Sequence, residues 1–527
     1  MSKLVLFVKL AAIILGKLND ALNDLLIRLL GKPIALTQLF SSVAAQDKNS
    51  ELAQSLFDTR ECGTIRLAND KDGRTHVALS GTTLDRLQVS RKELGSASSN
   101  AVFFYKKGHF ERCLPVRLLS DRRILETIRT CQYFGIFCIY RHEGREIHGR
   151  QYEVCYHVYS ERPGIIDLEN TTNPYLDKIA PGMFSSANDE RLEPDKHFSS
   201  RLKSNAIKQP IDLVYTWVDG DDPTWIEKRD QHQDTGKNSH SIDANVTHRY
   251  INRDELKYAF RSVETYAAFI RHIYIVTDNQ CPPWLDTSQP GVTLVDHKDI
   301  FRDESCLPTF NSHAIESQLH HIQGLSEHYI YCNDDFLFLN HNEPDDYYFP
   351  NGHSRVFNSN KVFIPLAEVD TSNSAIDNAA INGQRILASE FGVWCRSKLK
   401  HAPYPQRKSI IDEIENKYPD DFRATMASRF RSISDLSIAS SLAQHYGYYA
   451  GLSVASTISY NYLSTSDKLF WAKAKYIVNR GSARMPKCFC INDTGHDGTK
   501  EEGKLARDKA IVDLMEQLLP FKSRFEK

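Results

Sequence analysis

Apolar runs separated by helical patterns are the main feature of the chain after residue 205. The segment IDLVYTWV at 211–218 is apolar on both faces, and three later segments share this property: HIYIVTD at 272–278, VTLVDH at 292–297 and HYIYCNDDFLFL at 328–339. Between them, DELKYAFRSVETYAAFI at 254–270 begins with acidic residues and has helical spacing, as does the region around SHAIESQLHHIQGL. Strands without a polar face that alternate with helices predict a Rossmann-like α/β fold, a mostly parallel sheet covered by helices.

The first 205 residues have a different pattern. Alternating segments at 102–107 and 152–161 surround a helical stretch near 120–134, which predicts a smaller α+β domain, and no catalytic group of residues is visible there. We therefore predict five parts: an amphipathic helix and linker at 1–50, an α+β domain at 51–160, a connection at 161–205, the main domain at 206–500, and an amphipathic helix at 501–527.

Both ends of the chain carry amphipathic patterns with basic flanks, and for both we predict peripheral attachment to a membrane. The apolar stretch near residue 4 is interrupted by Lys9 and is shorter than the roughly 20 residues of a spanning helix. Leucines from Leu18 to Leu30 then form one stripe, which favours a helix on a membrane surface or on a partner. Docking of this helix on the protein itself and a signal peptide are the alternatives. We expect a cytoplasmic protein with peripheral contact at the inner face of the plasma membrane.

Charge and cysteine content narrow the function. The chain has 527 residues with 65 basic and 67 acidic side chains, so it lacks the basic excess of a nucleic-acid-binding protein. Its 11 cysteines form no C-x-x-C pair, which argues against a zinc ribbon and fits a reducing compartment. Cys488 and Cys490 have strand-like spacing and are interpreted as core residues.

Carboxylates follow the predicted strands at the points where these strands end. Asp219 and Gly220 follow the first strand, Asp278 lies at the end of the second, and Asp334 and Asp335 are assigned to the carboxyl end of the fourth. The carboxyl ends of parallel strands meet at one edge of a sheet, so these side chains are expected to converge there. An unpaired cluster of this kind predicts a divalent cation, Mg²⁺ or Mn²⁺, and a phosphate-bearing ligand. Turn and cap aspartates are the alternative for any one of them.

Four long blocks carry a family resemblance. They are IDLVYTWVDGDDPTW from 211, RDELKYAFRSVETYAAFIRHIYIVTDNQCPPWLD from 253, LPTFNSHAIESQLHHIQGLSEHYIYCNDDFLF from 307, and HAPYPQRKSIIDEIENKYPDDFRATMASRFRSISDLS from 401. In this order they resemble the Stealth family, which comprises bacterial capsular polysaccharide phosphotransferases and the catalytic subunit of animal N-acetylglucosamine-1-phosphotransferase. The resemblance covers about residues 210–495.

The resemblance implies an enzyme that transfers hexose 1-phosphate from a UDP-sugar to a hydroxyl of an acceptor saccharide and releases UMP. The acceptor is expected to be a capsular oligosaccharide or a lipid-linked sugar. By resemblance, His401 and Arg431 match the family's essential histidine and arginine, with the histidine as general base and the arginine on the phosphoryl oxygens. Asn252 and Arg253 depart from the family pattern, in which an acidic residue precedes Asn.

The further site residues fall into three predicted roles. Catalytic residues besides His401 and Arg431 are Asp219, Asp254 and Glu255; donor-binding residues are Trp217, Gly220, Arg249, Asp278, Asn311, Ser312 and Asn333; metal ligands are Asp334, Asp335 and Asp493. His320 and His321 are interpreted as helix surface.

Two other functions remain open from the sequence. A metal-dependent glycosyltransferase would use the same strand-ending carboxylates but release UDP, whereas a carbohydrate-binding module would consume no donor. The released nucleotide therefore distinguishes the three possibilities.

Overall fold

The computed structural model describes sixteen stretches of the chain. They are residues 34–35, 41–57, 64–69, 74–80, 101–107, 110–131, 133–142, 145–148, 152–162, 165–167, 178–179, 207–232, 250–467, 469–478, 485–492 and 501–527. The chain divides into two compact units, Met1–Asn205 with Arg480–Met485, and Ala206–Asn479 with Pro486–Lys527.

The first unit is α+β. Its helices are α1 (Ser42–Phe57) and α2 (Arg122–Arg129), and its strands are β1 (Ile34–Ala35), β2 (Thr64–Asn69), β3 (Thr75–Ser80), β4 (Ala101–Lys107), β5 (Phe110–Pro115), β6 (Tyr133–His142), β7 (Arg145–His148), β8 (Val154–Arg162), β9 (Ile165–Asp167) and β10 (Lys178–Ile179). Most neighbouring strands run antiparallel, in the order β10-β9-β8-β6-β4-β5. Two details differ from the prediction: α1 crosses the expected boundary at residue 50, and β9 and β10 lie inside the predicted connection at 161–205.

The second unit contains the predicted α/β sheet. Its central strands are β11 (Ile211–Thr216), β12 (Ile270–Thr277), β13 (Val292–Asp296) and β14 (His328–Asn333). These four strands are parallel, in the order β13-β12-β11-β14, and a fifth strand, Tyr404–Arg407, pairs antiparallel with β14. The Rossmann-like fold class is therefore confirmed by the strand order itself.

Smaller strands and helices complete the second unit. The remaining strands are β15 (Phe336–Phe338), β16 (Ser354–Val356), β17 (Asn358–Phe363), β18 (Ser397–Leu399), β19 (Tyr404–Arg407), β20 (Ser453–Ala455), β21 (Tyr460–Ser464) and β22 (Cys488–Asn492). The helices are α3 (Pro223–Gln231), α4 (Glu255–Tyr266), α5 (His297–Ile300), α6 (Ser312–Glu316), α7 (Ala375–Phe391), α8 (Lys408–Lys417), α9 (Pro419–Ala427), α10 (Ala443–Tyr449), α11 (Phe470–Val478) and α12 (Glu501–Leu518).

The segment 328–339 is two strands, which corrects the prediction of one. β14 ends at Asn333, and Asp334 and Asp335 form a turn before β15. β15 pairs antiparallel with β22 in a separate sheet, with Phe336 opposite Cys490. The apolar pattern runs through both strands because each is buried, so it does not reveal the change of sheet. The two carboxylates consequently lie where the two sheets meet.

The carboxyl-terminal segment is part of the second unit. Ile511, Leu514 and Met515 of α12 are buried, as is Phe525 in the tail beyond it. Arg261 of α4 holds this tail, since its Nε and Nη2 donate to the two oxygens of Glu526, each at 2.8 Å. The prediction that this helix uses its apolar side for membrane contact is wrong, because that side is covered by the chain itself. Within the described stretches, no helix is both long and apolar enough to cross a bilayer.

Candidate active site

The carboxyl ends of β11 and β14 define the position of the site. Their last residues, Thr216 and Asn333, are register partners, so the loops that follow both strands start at the same level. The chain continues from β11 to β12 on one side, whereas β14 lies on the other side of β11. Ligands of open parallel sheets bind in the crevice at such a reversal of strand order. The loops after Thr216 and Asn333 are thus the expected walls of the site.

The loop after β11 is held in place through Gln280. The backbone N–H of Asp219 donates to Gln280 Oε1 at 2.9 Å, and Gln280 Nε2 donates to the Asp219 carbonyl and to Asp222 Oδ2, both at 3.0 Å. Asp222 also caps α3 by accepting from the Thr224 N–H at 2.9 Å. A Cβ at Gly220 would lie 2.0 Å from the Tyr250 carbonyl oxygen, so only glycine fits there. Gly220 therefore allows the close approach of the 250 segment to this loop.

Three carboxylates gather beside the turn after β14. The pKa of Asp334 is raised well above its usual range, first by burial and then by the nearby charges of Glu255 and Asp335. Glu255, at the start of α4, is buried and accepts from the Arg253 N–H at 2.6 Å. Cys490 Sγ donates to Asp335 Oδ2 at 3.2 Å, and burial raises the pKa of this thiol well above its usual range. Negative charge at Asp334 is therefore costly, whereas Glu255 is paired with the Arg253 guanidinium at 3.2 Å.

His401 lies next to this turn. Ligand atoms of His401, Asp335 and Cys490 all lie within 4.8 Å of one another. The imidazole packs edge-on against Phe336 at 4.7 Å between ring centroids. Its Nε2 is 3.2 Å from the amide nitrogen of Asn492, and its Nδ1 is 3.2 Å from the Tyr404 hydroxyl. An amide nitrogen can only donate, so Nε2 accepts and keeps its lone pair, while Nδ1 carries the hydrogen.

Burial lowers the pKa of His401 to about 4. The imidazole is thus neutral at physiological pH, which is the protonation state of a general base.

Arg431 is held in place by Ser312, the first residue of α6. Its Nη2 donates to Ser312 Oγ at 2.8 Å. Asn311, which precedes Ser312, donates from Nδ2 to the Ser428 carbonyl at 3.0 Å and to Asp435 Oδ2 at 2.9 Å. These bonds tie the loop that carries Arg431 to α6. The guanidinium is therefore preorganised by its own loop and by one serine.

A hydrogen-bond network connects α6 with the end of β14. The Tyr331 hydroxyl contacts Thr216 Oγ1 at 3.2 Å and donates to Asn333 Oδ1 at 3.0 Å, and it lies 3.4 Å from Glu316 Oε1. Glu316 Oε2 in turn accepts from the N–H and hydroxyl of Ser440 at 3.1 and 2.9 Å. The segment carrying Ser312 is thereby fixed to the strand ends where the carboxylates lie.

Two predicted donor-binding residues have partners within the chain. Asp278 forms an ion pair with Lys228 at 2.7 Å. Asn311 is fully buried, and its side chain is engaged by the 428–435 loop and by the N–H of His313. The structure does not support direct ligand contact by Asn311, because its amide already serves to position Arg431.

Some of the remaining predicted residues lie within the described stretches of the chain, and two do not. Asp254 has a positive φ of 61° and pairs with Lys257 at 2.8 Å, while Trp217 is buried at the end of β11. Arg249 and Asp493 lie outside the described residues. His320 and His321 are not helix surface: His320 is fully buried and both rings contact Glu415.

Sequence reasoning missed several residues that build this site. Cys490, Asn492 and Tyr404 surround Asp335 and His401, and Gln280 and Asp435 hold the two loops. Only Cys490 and Asn492 had a usable signal, since they lie in an apolar strand that runs into polar residues.

The residues at the turn fit a hard divalent cation. Asp334 and Asp335 are adjacent carboxylates, and the raised pKa of Asp334 shows that their environment disfavours the negative charge. A bound cation would reverse this effect, and carboxylate oxygens are the ligands that Mg²⁺ prefers. Cys490 is a poor ligand here, because its raised pKa keeps the thiol protonated.

The fold and site together define an α/β protein with an acidic ligand crevice at the switch point of its sheet. Three family models match the chain: Stealth protein conserved region 1 at residues 209–232, conserved region 2 at 249–356 and conserved region 3 at 400–448. Residues 209–448 therefore carry three regions that are similar to the conserved regions of the Stealth family. Conserved region 2 contains the second and third of the four sequence blocks, so these blocks are one region.

Curated proteins named exopolysaccharide or capsular polysaccharide phosphotransferases are similar to part of this chain. An exopolysaccharide phosphotransferase of Streptomyces coelicolor is 44% identical over 303 residues, covering 57% of this chain and 50% of the relative. Exopolysaccharide phosphotransferase CpsY of Mycobacterium tuberculosis is 37% identical, covering 60% and 58%. Capsular polysaccharide phosphotransferase SacB of Neisseria meningitidis serogroup A is 34% identical, covering 60% and 57%. The chain thus spans half to three fifths of the length of these relatives.

A solved structure of a galactosyltransferase, LgtC, in complex with donor and acceptor sugar analogs is also similar. It matches 58% of this chain and 95% of that chain, with 9% identity and a TM-score of 0.28. This similarity is too low to bear on activity.

Proposed function

We propose that this protein is a polysaccharide phosphotransferase that transfers hexose 1-phosphate from a UDP-sugar to a hydroxyl of an acceptor saccharide. The observation that carries the proposal is the position of His401, neutral and within 4.8 Å of Asp335, at the carboxylate turn of the switch-point crevice. Similarity to curated relatives that are named phosphotransferases gives further support.

In the proposed reaction, the acceptor oxygen forms a bond to the β-phosphorus of the donor. The bond from this phosphorus to the oxygen bridging the two phosphates breaks, UMP leaves, and the product is a phosphodiester. The proton of the acceptor hydroxyl passes to Nε2 of His401, the ring nitrogen without a hydrogen; in this step the hydroxyl takes the place of the Asn492 amide, which donates to Nε2 in the structure. The hydrogen on Nδ1 faces the Tyr404 oxygen, which holds the ring in the required tautomer.

Arg431 is proposed to bind the phosphoryl oxygens. A guanidinium can hold two oxygens at once, and charge on those oxygens is present in the donor and changes during transfer. Ser312 supports Arg431 by accepting from one of its nitrogens, so the side chain does not need to reorganise when the donor binds.

Asp334 and Asp335 are the proposed ligands of Mg²⁺ or Mn²⁺, with Asp493 as a further candidate. A bound cation would neutralise the pyrophosphate of the donor. Glu255 contributes to the negative potential at Asp334, and Asp219 is proposed to act from the neighbouring loop after β11.

The proposed donor is a UDP-sugar, and the acceptor is a capsular oligosaccharide or lipid-linked saccharide. The proposed location is the cytoplasm, with the helix predicted for residues 18–30 in peripheral contact with the membrane. An unchanged membrane-bound fraction after deletion of residues 1–32 would contradict this contact.

The experiment is incubation with a panel of UDP-sugars and short capsular oligosaccharides, with the released nucleotide and the phosphorus NMR spectrum of the product as readouts. We expect UMP and a phosphodiester signal, both lost in EDTA and restored by Mg²⁺ or Mn²⁺. Release of UDP with a glycosidic product would instead show the glycosyltransferase. His272→Ala is a matched control for His401→Ala, since His272 lies on β12 and its Nε2 forms an exposed hydrogen bond with the Thr293 hydroxyl at 2.8 Å.

A further inference from the structure

A second group of metal-ligating side chains lies apart from the residues assigned to the proposed reaction. His320 and His321 form the single turn after α6, and Glu415 lies on α8. Glu415 Oε2 is 2.8 Å from His320 Nε2 and 3.1 Å from His321 Nε2. His320 is fully buried, and the side chains of His321 and Glu415 are only 13% and 14% exposed. Three ligand atoms therefore converge on one point in the interior.

The hydrogen positions at His321 are constrained by a carbonyl. Its Nδ1 lies 3.0 Å from the Ile300 carbonyl oxygen, which can only accept, so Nδ1 carries a hydrogen. In a neutral imidazole, Nε2 then holds a lone pair, and this lone pair faces the carboxylate oxygen of Glu415. Two lone pairs at 3.1 Å repel each other unless a proton or a metal ion lies between the atoms. A ring nitrogen that donates to a carbonyl while the other binds metal is the usual arrangement of histidine ligands.

Protonation of His321 is the competing explanation. It would place an imidazolium beside the ring of His320, with the two ring centroids 3.9 Å apart. Arg302 lies 3.6 Å from Glu415 and already supplies one positive charge to it, although its side chain is 62% exposed. Asp412 has an oxygen 3.7 Å from His320 Nε2, which offers a second carboxylate on the open side of the group. The charges alone therefore allow either state, and the two states differ in a measurable way.

The geometry points to a zinc site formed by His320 Nε2, His321 Nε2 and Glu415 Oε2, with Asp412 or water as the fourth ligand. Two imidazoles and a carboxylate suit Zn²⁺, whereas Mg²⁺ and Ca²⁺ prefer oxygen ligands alone. The site is thus chemically distinct from the carboxylate turn at Asp334. Its ion would join the turn after α6 to α8. Ser312 lies on α6, just before this turn, and Tyr404 lies on β19, just before α8. The zinc ion therefore stabilises the segments that position Arg431 and His401.

The test uses tag-free full-length protein and compares zinc content after purification in zinc-supplemented medium. Cys490→Ser serves as the background, because Asp335, His401 and Cys490 form another group that could hold a soft ion. We expect about one zinc ion per chain in Cys490→Ser and none in Cys490→Ser with Glu415→Gln. Substitution with Co²⁺ should give the visible spectrum of a tetrahedral site without a thiolate charge-transfer band, since the three ligands contain no sulfur.

Thermal melting provides the second readout. Zn²⁺ should raise the melting temperature of Cys490→Ser and leave that of the Glu415→Gln double variant unchanged, because an ion that binds only the native state stabilises it. If Glu415→Gln does not fold, His321→Asn replaces it, since His321 is at the edge of the group. Equal zinc content in the Cys490→Ser protein and the folded double variant would overturn the assignment. So would a Cys490→Ser protein that binds no zinc and melts alike with and without Zn²⁺, and the group would then be a protonated histidine pair on Glu415.

Discussion

At the scale of single residues, the neutral state of His401 has a consequence for the pH dependence of the reaction. Burial lowers its pKa to about 4, so the base form persists at pH values where an ordinary histidine is half protonated. The active form is lost only when the pH falls through the lowered pKa. We expect single-turnover rates to stay level from about pH 8 to 6 and to decline below about pH 5. An acidic limb centred near 6.5 would show that the base is an unperturbed histidine.

Removal of His401 should affect chemistry more than donor binding. His401→Ala eliminates the acceptor of the hydroxyl proton, so turnover should fall by about 10²-fold or more while donor affinity stays close to wild type. Calorimetric titration of UDP-sugar and steady-state rates measure the two effects separately. Near-wild-type turnover in a variant that melts like the wild type would contradict the assignment.

Arg431 should behave differently, because the charge that it binds is present in the ground state. Arg431→Ala should weaken donor binding as well as rate, and Arg431→Lys should not restore either, since an ammonium lacks the two-pronged geometry. Arg423→Ala on α9 is the control, as Arg423 is 68% exposed and pairs with the exposed Asp420. Unchanged donor affinity in folded Arg431→Ala protein would contradict this role.

Some site residues could be predicted from the sequence and others could not. The expected convergence of Asp219, Asp334 and Asp335 comes from their positions after parallel strands, and the roles predicted for His401 and Arg431 come from family resemblance. The partners that hold these side chains come from distant segments: Asn492 is 91 residues from His401, and Ser312 is 119 from Arg431. No periodic pattern reports such contacts. Asn311 was predicted to bind the donor for the same reason. Its burial depends on contacts with the 428–435 loop, which the sequence pattern does not show.

At the scale of elements, buried parallel strands were predictable because they leave unbroken apolar runs. The run at 328–339 was misread as one strand, because both β14 and β15 are buried and only the two aspartates mark the turn. The apolar face of α12 was visible in the sequence, but amphipathicity alone does not say whether lipid or protein covers it. The burial of Ile511, Leu514 and Met515 shows that the chain itself covers this face.

The tail contacts lead to a prediction about stability. Arg261 and Glu526 have side chains that are 6% and 5% exposed, so Arg261→Ala leaves a buried carboxylate without its partner. Breaking a buried ion pair in this way costs about 3–5 kcal/mol. The five tryptophans at 217, 225, 284, 394 and 471 all lie in the second unit, so their fluorescence during urea unfolding reports that unit alone.

The matched control for this prediction is Arg423→Ala, which removes an exposed pair and should cost less than about 1 kcal/mol. Equal unfolding midpoints for the Arg261→Ala and Arg423→Ala proteins would show that the tail is not held by this ion pair.

At the scale of the whole molecule, a parallel α/β sheet was predictable from the alternation of apolar strands and helices. The neighbours of each strand were not, because strand order depends on contacts across the sheet. The order β13-β12-β11-β14 is the feature that places the loops after Thr216 and Asn333 on either side of one crevice. The carboxylate turn follows β14 directly, and His401 lies next to it, so this order also fixes their position.

The central claim is that the acceptor attacks phosphorus and not the anomeric carbon. The most direct measurement follows the β-phosphorus of the donor, using UDP-sugar labelled at that atom and a short acceptor saccharide. The proposed reaction predicts that all transferred label appears in the saccharide product, with unlabelled UMP released in equal amount. Label that remains in released UDP, with an unlabelled saccharide product, would contradict it.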